Sequence, residues 1–238
     1  MQLSNKHVVI IGGTSGIGAA TAKLAVEKGA YVTITGLNKG SVDKARKELG
    51  NKVEVKQLDI TNESALQKFF NELDQIDYIT TPGSAVPKGG FLTMDSVTAK
   101  SGFESKFWGQ YNAAKYATPK IRTGGAIVFF SGVISRRPQS NLAIMASVNS
   151  AVEGLGRALA VELAPIRVNV LAPGIVDTPR YASLAENDRI AMFDSLSKKL
   201  PVGHVGKPEE LAEAVLFLMT NAFTTGATFY VDGGHILS

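Results

Sequence analysis

The stretch His7-Val8-Val9-Ile10-Ile11-Gly12-Gly13-Thr14-Ser15-Gly16-Ile17-Gly18 constrains this chain more than any other. An apolar run rich in Val and Ile passes directly into a glycine turn, and a helical stretch follows at 19–28. A buried strand that feeds a glycine turn and then a helix is the start of a βαβ unit. The turn gathers free backbone N–H groups and the positive end of a helix, and its glycines let an anion come close. A pyrophosphate suits it. Gly12, Gly16 and Gly18 are therefore predicted to cradle a dinucleotide, with Thr14, Ser15 and Ile17 in the same turn.

The alternation continues to the C-terminus. Short apolar runs recur at 31–35, 53–58, 76–80, 126–130, 167–171 and 228–231, most of them bounded by Gly, Pro or Asp. They read as buried parallel strands. The helical pattern between them is clearest at 208–220, where Leu211, Ala214, Val215 and Leu218 keep the i, i+3, i+4, i+7 spacing. Pro208 and the Glu209-Glu210 pair favour a helix start there. A second helix is predicted over 145–163, with Val148, Ala151, Val152, Leu155 and Leu159 on one face. Right-handed crossovers between such elements give an α/β fold: a Rossmann-type, doubly wound, seven-stranded parallel sheet in a single domain over residues 1–238.

Composition narrows the function. The 238 residues are 45% hydrophobic and 19% charged, an ordinary globular balance. With no cysteine, disulfides, thiolate metal sites and cysteine nucleophiles are all excluded, and no metal site is predicted. The same absence, with no leader-like apolar stretch at the N-terminus, fits a cytoplasmic protein. No run approaches the roughly 18 apolar residues needed to span a bilayer. The net charge of +4 is spread along the chain, and Arg136-Arg137 is its only tight basic pair, so no nucleic-acid partner is expected.

The end of the second strand bears on the cofactor. A site for NAD usually carries an Asp or Glu there to hold the ribose 2′-hydroxyl. This chain reads Gly36-Leu37-Asn38-Lys39, without a carboxylate. An acid would repel a 2′-phosphate, so its absence favours NADP(H). Lys39 offers a charge and Asn38 a donor, with Thr14 or Ser15 nearby in the first turn.

The spacing Gly12-xxx-Gly16-x-Gly18 resembles that of the short-chain dehydrogenase/reductase family, and the resemblance covers essentially the whole chain. Leu58-Asp59-Ile60 is similar to the family's adenine-contacting segment. Thr80-Thr81-Pro82-Gly83 stands at its Asn-Asn-Ala-Gly and keeps only the glycine. Residues 167–178, which include Pro173-Gly174-Ile175-Val176-Asp177-Thr178, resemble the segment that closes over the nicotinamide. Residues 206–210 and 225–234 are similar to its C-terminal signature. The resemblance thus implies cofactor contacts at Asp59, Ile60, Pro82, Gly83, Pro173, Gly174, Ile175, Val176 and Thr178, besides Leu37. It also implies a homodimer or homotetramer formed through long helices near 100–121 and 145–163. Small residues at Ala151, Gly154, Gly156 and Ala158 would permit close helix approach there, or packing inside one copy.

The family's catalytic residues are replaced. Its tyrosine aligns with Met145, its lysine with Asn149, its serine with Gly132 (beside Ser131) and its helix asparagine with Lys106. In the family a tyrosine hydroxyl protonates the oxygen of a carbonyl that has accepted hydride, and an ammonium lowers its pKa from about 10. Methionine has no proton to give, and asparagine cannot tune one. Asn149 can still hydrogen-bond the nicotinamide ribose.

Two readings follow. The first is an NADP(H)-dependent oxidoreductase with a non-standard proton source, acting on a small-molecule imine, enone or other substrate that does not need the tyrosine acid. Lys106 is then an ammonium near the altered site rather than a solvated surface lysine, and Phe91, Phe107, Trp108 and Met145 line an apolar pocket. Asp177, Tyr181 and His204 either join it or serve structure, and residues 181–200 form a lid. The second reading is a catalytically silent NADP(H)-binding protein, a sensor or structural subunit.

Overall fold

The computed structural model describes residues 3–238. Seven strands form one parallel sheet: β1 (His7–Ile11), β2 (Tyr31–Gly36), β3 (Val53–Gln57), β4 (Ile76–Thr80), β5 (Ile121–Phe130), β6 (Arg167–Pro173) and β7 (Thr228–Val231). Their spatial order is β3-β2-β1-β4-β5-β6-β7. This is the doubly wound arrangement expected from the sequence.

The helices are α1 (Gly16–Glu27), α2 (Lys39–Leu49), α3 (Glu63–Glu72), α4 (Ser96–Phe103), α5 (Gly109–Ala117), α6 (Ala143–Glu162), α7 (Glu186–Ser197) and α8 (Pro208–Thr220). Alternation along a strand sends successive side chains to opposite faces. Val8 and Ile10 of β1 accordingly join a core with Ala22 and Ala25 of α1, Val42 of α2 and Leu211 and Val215 of α8. Val9 and Ile11 join the other, with Leu66 and Phe70 of α3, Ala113 and Ala114 of α5 and Val152 of α6. Neither core is sealed by covalent links; apolar burial on both faces holds the layers.

The ends of the elements follow local chemistry. Helix α8 spans its predicted residues, and the Glu210 carboxylate accepts from the Lys207 N–H at 2.7 Å at its start. At its far end the buried Arg167 guanidinium donates to the carbonyls of Leu218 and Met219, placing a cation on the negative helix end. The helix expected over 100–121 is interrupted. Residues Glu104–Trp108 form a π turn between α4 and α5, in which the Gly109 N–H reaches back to the Glu104 carbonyl. Close packing favours this: a Cβ on Gly109 would lie 2.8 Å from Ile60 Cγ1. Gly156 likewise packs inside the monomer, since a Cβ there would lie 2.4 Å from Val170 Cγ2.

Because all strands run the same way, their C-terminal ends share one edge of the sheet. The strand order reverses between β1 and β4, where an open α/β sheet leaves a crevice for ligands. No helix among the described residues is long and apolar enough to cross a membrane.

The opposite edge carries structure. Asp77 of β4 is buried and accepts from Lys6 Nζ, the His7 N–H and Arg122 Nη1, each at 2.9 Å. Burial opposes its ionisation, but these three donors outweigh that and hold the carboxyl below its ordinary value. Asp77→Asn is expected to cost about 1–3 kcal/mol at pH 7. A carboxyl depressed in the folded state stabilises fully above its unfolded value and loses that contribution as pH falls through the folded one. Urea unfolding should therefore show the gap between wild type and variant closing as pH drops below the ordinary 3.8.

Candidate active site

The glycine turn leaves β1 at Gly12, whose φ of +94° suits glycine. A Cβ there would lie 2.3 Å from Gly83 Cα, so the loops after β1 and β4 touch backbone to backbone. The Gly83 N–H donates to the Ile11 carbonyl at 3.1 Å and fixes that approach. Gly18 has no room for a Cβ either, which would fall 2.1 Å from the Gly12 carbonyl oxygen. Helix α1 begins at Gly16, and Ser15 at its cap makes no side-chain hydrogen bond to the first turn. The N–H groups of Gly16, Ile17 and Gly18 are thus left facing the crevice without helix carbonyls to bond. An anion fits there.

Around this turn lie the other predicted contacts. A Cβ on Gly36 would lie 2.5 Å from Thr14 Cγ2, which locks the first turn against the end of β2. Thr14 Oγ1 is 3.5 Å from Ser41 Oγ, a hydroxyl that the sequence reading missed. Leu37, Asn38 and Lys39 are exposed beside it, and Asn38 caps α2 without using its side chain. Asp59 Oδ1 accepts from the Thr61 N–H at 2.9 Å and from its hydroxyl at 2.7 Å, closing a turn next to Ile60. Pro82 and Gly83 follow β4 in the crevice.

The segment after β6 closes over the turn. The Gly174 N–H bonds the Val231 carbonyl at 3.0 Å, and the Ile175 carbonyl and Val176 pair with Gly206. Thr178 sits above Gly16, where a Cβ would be 3.3 Å from Thr178 Cβ. Arg189 of α7 bonds Asp177 at 3.0 Å, and Tyr181 packs edge-on against Phe193 at 5.3 Å. Burial raises the Tyr181 phenol. His204 lies 3.7 Å from Glu210. Asp177, Tyr181 and His204 thus have structural partners.

Lys106, Gly132, Met145 and Asn149, the positions matched in the sequence to the family's catalytic residues, lie beyond the end of β5. Lys106 lies in the π turn, only 9% exposed, and its Nζ donates to the Ser131 carbonyl at 2.8 Å. It is a buried amine, not a solvated one. Burial, reinforced by the charge of Arg180 and opposed by Glu153, pushes its pKa down to about 7. Gln110 of α5 fastens this helix to the sheet: its amide donates to the Lys106 and Phe130 carbonyls and accepts from the Phe130 N–H and the Thr81 hydroxyl.

Asn149 is buried in α6, one turn beyond Met145, which is also buried. Its Nδ2 donates to the Gly132 carbonyl at 3.4 Å, and among the described residues its Oδ1 has no hydrogen-bond partner. A Cβ on Gly132 would lie 3.1 Å from that Nδ2. The two replacements are therefore coupled, with the asparagine amide crowding the space a serine side chain would need. An orphaned buried acceptor beside the crevice is a fitting partner for a ribose hydroxyl. With the glycine cradle, it makes these residues fit a nicotinamide dinucleotide.

Of the expected apolar wall, Met145 is buried, but Phe91 is 78% exposed and Trp108 44%. Trp108 stacks edge-on with Phe107 and Tyr111, which draws it to the outer helix surface. Glu153, buried beneath Ser131, was not singled out from the sequence; its place four residues after Asn149 on the same helix face was the available signal.

Gly12→Ala should cost about 2–4 kcal/mol, combining backbone strain with a contact against Gly83 that neither main chain can relieve. Thermal unfolding of the variant checks this; an unchanged midpoint would contradict the backbone contact.

The comparisons with known proteins agree with this geometry. The family model described as Enoyl-(Acyl carrier protein) reductase matches residues 12–235. The chain is 34% identical to the short-chain dehydrogenase/reductase ATR9 of Stachybotrys chlorohalonatus, covering 99% of this chain and 98% of that one. It is also 34% identical to the cis-4-hydroxycyclohexanecarboxylate dehydrogenase of Sinomonas cyclohexanicum, over 98% and 97% of the two chains. A solved small-chain dehydrogenase in complex with NADPH superposes with a TM-score of 0.85 at 34% identity, covering 99% of this chain and 100% of that one. The MalC reductase/Diels-Alderase of Malbranchea aurantiaca gives 0.91 at 29% identity, over 99% and 98%. Fold, glycine turn and full-length similarity together make this chain a member of the short-chain dehydrogenase/reductase family, and an oxidoreductase by type.

Proposed function

We propose that this protein is an NADP(H)-dependent reductase in which Lys106 takes over as the proton-holding group of the site. One observation carries the reading: a buried amine, poised near neutrality, occupies the site from which the family's serine, tyrosine and lysine are gone. The cofactor preference is supported by the NADPH-bound relative and by the missing carboxylate after β2. Lys39, Asn38, Thr14 and Ser41 surround the place for a 2′-phosphate. Among the described residues Lys39 has no ion-pair partner, so its charge is free for that role.

When bound, the reduced nicotinamide supplies a hydride. The chain's own residues do the rest. The first-turn N–H groups of α1 would hold the pyrophosphate and Asn149 Oδ1 would accept from the ribose, with Thr178 over the turn. Met145 excludes water and gives no proton. The substrates that suit this are an imine, whose iminium form already carries its proton, or an enone. An enone that accepts hydride at its β-carbon leaves an enolate, which the Lys106 ammonium stabilises and protonates. Positioned acid catalysis of this kind is worth about 10²–10⁴-fold. Homodimers or homotetramers through α4–α5 and α6 belong to the same reading, and Val97 of α4, Trp108 of the π turn and Val161 of α6 are exposed.

A specific observation also favours the second reading, a silent NADP(H)-binding protein: Asn149 crowds the vacated serine space instead of leaving it to a substrate. Turnover separates the two. NADPH oxidation should be measured against ketones, enones and cyclic imines. With an enone, kcat/KM should fall above about pH 7, because the ammonium is the working form. Lys106→Met should lower it about 10²–10⁴-fold and remove that limb while NADPH still binds. Tight NADPH binding without turnover on any class would overturn the reductase and leave the binding protein.

A further inference from the structure

We infer that Glu153 is a positioning residue for Lys106, its buried carboxylate acting through Ser131 to hold that side chain as an ammonium at the site. The inference deepens the reading of Lys106 as the proton-holding group and rests on it.

Glu153 is 5% exposed, and its partners are all hydroxyls. Ser131 Oγ donates to Oε1 at 2.7 Å, Ser135 Oγ to the same oxygen at 2.5 Å, and the Tyr230 hydroxyl to Oε2 at 3.0 Å. Tyr230 in turn accepts from Arg136 Nε at 3.0 Å, which leaves its own hydrogen for the carboxylate, while Ser135 Oγ also lies 3.0 Å from the Gly132 carbonyl. Yet among the described residues no Lys or Arg pairs with it directly, and Arg136 is exposed on the far side of Tyr230.

A buried charge with no cation in contact is costly, and a neutral side chain could fill the same space. What the carboxylate does have is a buried cation one residue away. Ser131 joins the two: its carbonyl accepts from Lys106 Nζ at 2.8 Å, and its hydroxyl bonds Glu153. The Ser131 hydroxyl also lies 3.2 Å from the Asn149 carbonyl, so the bridge is anchored to α6 at two points. The charged groups that act on Lys106 are few. Arg180, from the short helix Pro179–Tyr181, disfavours its charge as burial does, and Glu153 from α6 favours it. Among the described residues, the Glu153 carboxylate is the charged neighbour that favours the protonated amine. Ser131 fixes where that amine points.

The test is to titrate Lys106 itself. The ligand-free full chain is labelled with carbon-13 at lysine Cε, its Lys106 signal is assigned by its loss in Lys106→Arg, and its shift is followed with pH. In wild type the midpoint should lie near 7. Glu153→Gln should move it down by about half a unit to one unit, because a favourable charge has gone. With an enone and NADPH, the alkaline limb of kcat/KM should move the same way. A merely structural role for Glu153 would lower the yield or the unfolding temperature without moving either midpoint. If Glu153→Gln does not fold, Glu153→Asp keeps the charge but withdraws it by one methylene, and a smaller downward shift is expected. An unmoved Lys106 midpoint in whichever folded variant is measured overturns the inference. The two readings also fail separately: absence of turnover in wild type removes the reductase, while the titration still decides whether Glu153 governs Lys106.

Discussion

The contact between Gly12 and Gly83 is the constraint from which the rest of the site follows. Two backbones meet where β1 and β4 leave the sheet, so close that neither residue can carry a Cβ. This draws the start of α1 in beside the reversal of strand order and points its unpaired N–H groups into the crevice. Thr14 then packs on Gly36, and Thr178 settles over Gly16. Because every strand is parallel, the ends of β5 and β6 reach the same edge. The glycine crevice and the positions of Gly132, Met145 and Asn149 therefore share one close approach and one sheet direction.

Beyond β5 the physics changes from backbone fit to buried charge. Lys106 and Glu153 are both buried and meet only through Ser131. Neither is solvated, so each depends on the other more than a surface pair would, where screening leaves about 0–1 kcal/mol. In the same region Gly132 and Asn149 are in contact. Asn149 leans toward Gly132, and a serine restored there would first meet its amide. Lys106, Asn149 and Glu153 all pack around residues 131 and 132.

Much of this was legible in the residues. Period-two and period-3.6 patterns located the strands and α8, since both depend on which residues are buried. The glycines at 12, 16 and 18 marked a turn because nothing larger fits. Three features were not legible. The π turn at Glu104–Trp108 ends at Gly109, which packs against Ile60, a contact between residues far apart in the chain. Lys106 lies in that turn, and its burial rests on such distant packing, so the sequence left it between ammonium donor and solvated side chain. Glu153 lay within a helix whose pattern reads as amphipathic, and its hydroxyl partners come from β7 and from the loop after β5. Exposed Phe91 and Trp108 show the opposite error, an apolar residue taken for a pocket wall when its neighbours hold it at the surface.

The central claim is that a dinucleotide frame is built around a near-neutral buried lysine. Competitive labelling of the native protein with trace acetic anhydride, read at Lys106 by mass spectrometry across pH, tests both halves at once. The account predicts a reactivity midpoint near 7 and protection of Lys106 by saturating NADPH. A midpoint near the ordinary 10.5, with labelling indifferent to NADPH, would contradict it.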